Sequence, residues 1–559
     1  MIYIYKTEVV FMKFQPVSCP DRTVIVKQKN HRYVYLTKAV TYRPDLKCSR
    51  PDRVCIGKLD EEGMLIPNQN YIDIFGESVM VQENAERCDS ICVGPHFVMD
   101  HLARTLHLDE ILRSVFPGTA VKILDIATYM IMTEDNVMQY FDDYGYDHSL
   151  FNGDKFTDST ISRILSDLKP RDIDRFIEAW VHMHASREIY VAYDSTNMNT
   201  RSAGIELAEH GHAKDDPDLP QVNVSLGYDQ TNLLPLFYEL YPGSIIDNTE
   251  CEKMVERAKR YGMGKIGFIL QRGYFSLRNI CFLEEGGYDY LLMVKGNARW
   301  IREAVDMLRA SLKAGMTGYM PEHEIYGGTL RQELKGMKGE KYVHVYYDGV
   351  RAEQEKIEIN RRYGRMEQVL EELKEKKIKR KEDVAQYERY YRLKFDDNGY
   401  FLSYRRREDK VLEMMEQAGI FVLVTSERMS ASEALETYRD RDAIEKIFRM
   451  EKSYLGNDVF RVHSDEHMES KMFISFIALI LRNEIYRRMK ELYRKNRKEY
   501  TVPKVLRELS KMKMTKLSDD RYHQRYALTN KQKKILEAMG TNEKAYREFL
   551  ERARRPLEE

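Results

Sequence analysis

The run "TYRDRDAIEKIFRMEKSYL" carries Tyr438, Arg441, Glu445 and Lys452 at spacings of 3, 4 and 7. On a helix turning about 100° per residue, these four fall within one sector of roughly 60°. Ala443, Ile447, Met450 and Tyr454 fall on the opposite side. Such a polar stripe presents a carboxylate flanked by phosphate-binding groups. It equally suits a solvated face with an Arg441–Glu445 pair, and spacing alone favours that plainer reading. A second acid, Asp194, stands at the expected end of the strand-like "VAYDST", where a lone Asp often only caps a turn. A third position lies in "GKIGFILQRGYFSLRN", where Gln271 ends a buried-strand pattern before a turn and a helix. A site in an α/β fold usually places a carboxylate there; this chain has a neutral amide.

The elements that must hold these residues follow from periodicity. Residues 1–94 alternate short β-rich runs with turns, among them a hairpin at Glu62-Gly63, and form a small module. Residues 95–186 switch to helical spacing, with an N-cap offered by Asp158-Ser159-Thr160. "REIYVAYDST", "QVNVSLGYD" and "LLPLFYELYPG" are three consecutive strands. A helix, "GKIGFILQ", a second helix and "YDYLLMVKG" complete the region 187–296. That order predicts an α/β mixed sheet covered on both faces. Residues 297–417 read as a β-rich insertion, and 418–490 resume the sheet at "GIFVLVTSE" before a helix from Ser430 to about Tyr454 and a buried one. Residues 491–559 read as a basic helical end.

At 559 residues, the chain has room for three or four units. With 43% hydrophobic and 32% charged residues it is globular in composition. Its zero net charge hides a basic run: Arg487 to Lys516 holds 12 Lys or Arg against 3 acids. Arg361 to Lys381 holds 9 against 4. These runs fit a bound polyanion or a solvated helical face with comparable weight. Seven irregularly spaced cysteines do not form a disulfide framework, and Cys88 and Cys92 lack a second pair for zinc. The start has no signal-peptide layout, and "MFISFIALIL" is too short to span a bilayer. A soluble cytoplasmic protein without membrane partners is expected.

The order Tyr438, Arg441, Glu445, Lys452 resembles the signature of insertion-sequence DDE transposases in the group typified by insertion sequence four. "GHAKDDPDLPQV", "YPGSIIDNT", "QRGYFS" and "FISFIALIL" look like that group's other blocks, so the resemblance runs from about Val191 to Lys490. It implies an RNase H-like catalytic core interrupted by the β-rich insertion domain, with a helical DNA-binding region at 95–186. It also implies three carboxylates that bind two Mg²⁺, with Mn²⁺ able to substitute. Ions about 3.5 to 4 Å apart activate the attacking oxygen and stabilise the leaving one. By resemblance Asp194 and Glu445 would hold metal, Gln271 would stand at the second Asp, and Tyr438, Arg441 and Lys452 would hold DNA phosphates. Arg272 and Trp300 join them as DNA-contact candidates. The implied partners are double-stranded DNA, the transposon's terminal inverted repeats, target DNA and a second copy of the chain, at a prokaryotic nucleoid.

Gln271 departs from that pattern. An amide offers one neutral oxygen and removes a full negative charge from a site for two dications, so weak metal binding is expected. The copy is then decayed or domesticated, or deliberately disabled, or served by another carboxylate. Asp229 and Asp289 lie near strand ends, but nothing in the pattern aims them at the metals. A DNA-binding repressor or inhibitor without chemistry is the alternative. His210 and His212 make a weak metal pair, Lys214 and Asp218 are placed to orient a loop, and Trp300 suits packing better than base stacking.

Overall fold

A computed structural model describes residues 16–28, 31–43, 48–60, 62–75, 90–185, 188–211, 216, 218–245, 247–263, 265–270, 272–274, 276–294, 301–334, 337–376, 382–456, 459–516 and 522–554. The chain divides into two compact units, Met1–Ser90 with Lys513–Ala527 and Arg554–Glu559, and Ile91–Met512 with Leu528–Ala553. In the first, the strands Thr23–Gln28, His31–Arg43, Cys48–Leu59 and Leu65–Pro67 pair antiparallel in chain order. Val34, Ile56 and Leu65 form its small core. Gly63, at φ 86°, turns the chain between the last two strands, a conformation that costs glycine little. The strands Lys513–Lys516 and Tyr522–Gln524 also pair within this unit, so the end expected to be basic and helical at 491–559 contains a β segment as well.

The second unit begins with helices between Gly94 and His184. The helix predicted to be capped from within Asp158–Thr160 starts at Asp158, with Thr157 in the preceding extended conformation. The last of these helices is α1 (Pro170–His184), which leads into the sheet. Strands β1 (Glu188–Thr200), β2 (Gln221–Asp229) and β3 (Leu234–Pro242) form an antiparallel meander. Helix α2 (Asp247–Arg260) carries the chain back to β4 (Lys265–Leu270), which lies parallel to β1 on its other side. Helix α3 (Leu277–Glu285) leads to β5 (Asp289–Val294), parallel to β4. Every residue of β2 is buried, as expected for strands covered on both faces.

The residues predicted as a separate insertion, 297–417, divide instead. Strands β6 (Ile325–Glu333) and β7 (Glu340–Tyr347) extend the main sheet, because β7 pairs with β8 (Ile420–Thr425), which pairs with β5. The sheet thus reads β6-β7-β8-β5-β4-β1-β2-β3, with the short strand Tyr319–Met320 beyond β6 and Val459–Phe460 paired to the end of β1. The helix Gly349–Glu375 and the hairpin of Tyr391–Phe395 with Phe401–Arg406, joined by Val384, Val411 and Met414, build a core of their own around Tyr363, Leu370 and Tyr391. The burial of β7 on both faces explains the difference: Val343, His344, Val345 and Tyr346 are all fully buried and need the sheet's neighbours.

Among the described residues six α-helices follow β8, and the first three bear on the site. Helix α4 (Ala431–Arg439) opens with a capping box in which Ser430 accepts from Glu433 N and Glu433 accepts from Ser430 N. Helix α5 (Asp442–Arg449) runs on into a π-helical turn, Met450–Tyr454. Helix α6 (Asp465–Lys495) buries residues on all sides from Met468 to Ile485, the mark of a helix enclosed by protein. Among the described residues no helix is long and apolar enough to cross a membrane.

Candidate functional site

Asp194 lies within β1, not at its end. The strand continues because Ser195–Asn199 keep pairing with β2, and Thr200 pairs with Phe460. Asp194 stands opposite Leu226, and its Oδ1 accepts from Ser195 N at 2.8 Å. Only 5% of the residue is exposed, so its charge needs compensation. Arg441 brings it: Nη1 lies 3.9 Å from Asp194 Oδ2, and Nη2 donates to Glu445 Oε1 at 2.9 Å. One guanidinium therefore reaches both acids predicted for the site. Its planar fork suits two carboxylates. Arg441 itself is 8% exposed, whereas the Glu445 side chain is half exposed. Nε and Nη1 of Arg441 make no hydrogen bond among the described residues.

The helix that carries Arg441 is not the straight one its periodicity predicts. In a straight α-helix Arg441 N would donate to Thr437 O, four residues back. With its amide oriented to match them, the Gln230 side chain bridges these groups: its oxygen accepts from Arg441 N at 2.7 Å, its nitrogen donates to Thr437 O at 3.2 Å, and Arg441 N also donates to Tyr438 O, three residues back, at 3.2 Å. An inserted side chain is a recognised cause of a kink. The chain tightens there, with Ala443 N donating to Asp440 O and Ile444 N to Arg441 O, three residues back in each case. The bend has a consequence for the polar stripe. Tyr438 is 7% exposed and belongs to a core cluster with Ile269, Leu291 and Leu435, so it lies off the solvated face. Its ring lies 4.9 Å from the Arg441 guanidinium, an arrangement that favours the cation. Lys452 is half buried in the π-helical turn, seven residues after Glu445.

The remaining candidates separate clearly. Asp229 is fully buried and closes the turn after β2, accepting from Thr231 N at 2.8 Å and Asn232 N at 3.0 Å. Asp289 accepts from Ser426 Oγ at 2.9 Å. Both carboxylates thus have local structural duties. His210 is exposed, and Asp218 N donates to Asp216 Oδ1. Gln271, Trp300, His212 and Lys214 lie outside the described residues, as does the side chain of Arg272, whose backbone opens the short helix Arg272–Tyr274. In the basic run, Arg487 and Arg488 both pair with the buried Glu484, so these two serve the fold.

Gln230 is the residue that sequence reasoning missed. A glutamine one position after a strand carries no motif, and only the helix it interrupts gives it meaning. Nearby, Tyr190 donates to Glu427 Oε2 at 2.5 Å. Burial, and then that carboxylate, push its phenol far above the ordinary range, so it remains a donor.

The site's donor chemistry fits a hard divalent cation in kind. Asp194 and Glu445 supply only oxygens, which Mg²⁺ prefers, and they already gather around one positive group. In number the set is short: among the described residues no three His, Cys, Asp or Glu side chains gather as a metal site.

Residues 186–481, more than half of the chain, match the family described as "Transposase DDE domain". A search of curated proteins finds no match. Among solved structures, the chain is similar to "Cryo-EM structure of piggyBac transposase synaptic complex with hairpin DNA (SNHP)". That likeness has 9% identity, covers 83% of this chain and 77% of that one, and has a TM-score of 0.35, too low to bear on fold or chemistry here. The family match spans both Asp194 and Glu445, and by it this chain belongs to the transposase DDE-domain family.

Proposed function

We propose that this chain is the transposase of an insertion sequence, acting on DNA at terminal inverted repeats through an RNase H-like core. The observation that carries the reading is the Arg441 guanidinium shared by Asp194 and Glu445, two acids 251 residues apart (445 − 194). A strand order of β3-β2-β1-β4-β5, antiparallel on one side of β1 and parallel on the other, supports the RNase H-like assignment.

In this reading Asp194 and Glu445 hold the divalent ions. When bound, such ions activate an attacking oxygen and stabilise the leaving one. The chain's own groups do the rest. Arg441, with Nε and Nη1 still open to a hydrogen bond among the described residues, receives a phosphate oxygen next to the acids. Tyr438 supports Arg441 from beneath, and Lys452 and Arg272 add positive charge along the DNA. Trp300 is the aromatic contact. A second copy of the chain completes the assembly on paired ends.

Gln271 follows Leu270, whose partner in β1 is Tyr193, the residue before Asp194. This register supports Gln271 as the third corner, where a neutral amide lowers the charge available to cations. The chain therefore binds its DNA ends and cuts them poorly. A non-cleaving DNA-binding derivative is the second reading, and the same amide favours it. The test uses labelled DNA from the borders of the gene, with and without Mg²⁺, for the unaltered chain and for Gln271→Asp. Binding by both with nicking mainly by the variant supports the proposal. Failure of both to bind would remove it.

A further inference from the structure

A cavity of about 240 Å³ lies along β3, the terminal strand of the main sheet, between α1, α2 and α6. Four carboxylates line it, Asp174, Glu239, Asp465 and Glu469, against a single guanidinium, Arg257. Three of the acids have duties. Arg257 pairs with Glu239 at 3.2 Å, Tyr261 donates to Asp174 at 3.1 Å, and Asp465 accepts from Glu206 N at 3.0 Å. Glu469 has neither a hydrogen bond nor an ion pair among the described residues. Burial first, then the neighbouring Asp174, raise its carboxyl above the ordinary range.

A second, independent feature concerns Tyr238. Its residue is 4% exposed, it lines the same cavity, and its hydroxyl has no hydrogen-bond partner among the described residues. A buried phenol without a partner is costly. The other walls are apolar, formed by Ile173, Ile177, Leu240 and Met468.

These walls define an occupant. Three net negative charges call for a cation, and a bare metal ion is a poor fit, since among the described residues no three potential ligands converge. The volume and the aliphatic lining suit several methylene groups, and the acids and phenol oxygen suit ammonium hydrogens. We propose that this cavity binds an aliphatic diammonium ion, a short diamine, with Glu469 and Tyr238 as its hydrogen-bonding anchors. The site is separate from Asp194 and Glu445, and its occupancy does not depend on the transposase reading.

The test is thermal unfolding and calorimetry of the full chain without DNA, titrated with 1,4-diaminobutane at constant ionic strength. The expected result is a saturable rise in midpoint and one-site binding heat. Glu469→Gln should weaken binding at least roughly tenfold, the weight of one charge-assisted hydrogen bond, and Tyr238→Phe roughly threefold. Glu469→Gln also removes a half-buried charge and will not itself prevent folding, so the diamine-dependent change is read against each variant's own baseline. An equal rise with sodium chloride or magnesium chloride, or unchanged diamine binding in both variants, overturns the proposal.

Discussion

Replacing Arg441 with Gln should destabilise the second unit and at the same time make it more responsive to divalent ions. The side chains of Arg441 and Asp194 are 10% and 7% exposed and lie 3.9 Å apart. At an effective dielectric near 20, unit charges at that distance attract by about 4 kcal/mol. The Glu445 contribution is smaller, because that side chain is 53% exposed and solvent screening leaves under about 1 kcal/mol. Removing one partner of a buried pair leaves the other uncompensated, so the net loss is about 3 kcal/mol. Urea unfolding followed through the buried Trp180 reads this unit. In the variant, Asp194 and Glu445 have lost their resident cation, and the expected outcome is that Mg²⁺ or Mn²⁺ takes its place. An ion at a hundred times its dissociation constant restores about 2.7 kcal/mol, and the unaltered chain gains less. A loss below about 1 kcal/mol, or equal ion responses in both proteins, would refute the reasoning.

Other predictions follow from the same geometry. Gln230→Ala removes the donor to the Thr437 carbonyl and leaves the Arg441 N–H only its bond to Tyr438 O; it should cost about 1 kcal/mol and loosen Arg441, measured as a lower urea midpoint and a smaller response to Arg441→Gln. Asp125 is 1% exposed, and burial raises its carboxyl from 3.8 to about 7, against the opposing hydrogen bonds from Phe151 N and Asn152 N. Between about pH 4 and 7 the folded chain keeps a proton that the unfolded chain has released, so stability falls as pH rises, by up to about 1.4 kcal/mol per unit. Asp125→Asn should flatten that slope in urea midpoints taken at pH 5 and pH 7. Trp180→Phe leaves the Pro235 carbonyl without its 3.0 Å donor and should lower stability by about 1 to 3 kcal/mol, read by circular dichroism.

Strands with simple periodicity were legible in the sequence. The expected strand at 221–229 is Gln221–Asp229, and "YDYLLMVKG" contains Asp289–Val294. Length and mutual order were legible because buried runs bounded by turns have few alternatives. The destination of a strand was not. Glu340–Tyr347 looks the same whether it belongs to an insertion or to the main sheet, and only its pairing with Ile420–Thr425 decides. Within the site, the Arg441–Glu445 pair follows from a spacing of four and is present. Tyr438 shares the same helical sector, yet the bend at Gln230 turns the helix before that sector reaches solvent. Long-range contacts such as Arg441 with Asp194 leave no local trace.

The most direct test of a shared Asp194–Glu445 cation site is manganese binding, measured by calorimetry on the Gln271→Asp chain, on that chain with Asp194→Asn, and on that chain with Glu445→Gln. Saturable binding in the first, lost or greatly weakened in each of the others, is the predicted result. Undiminished binding after either acid is neutralised would contradict it.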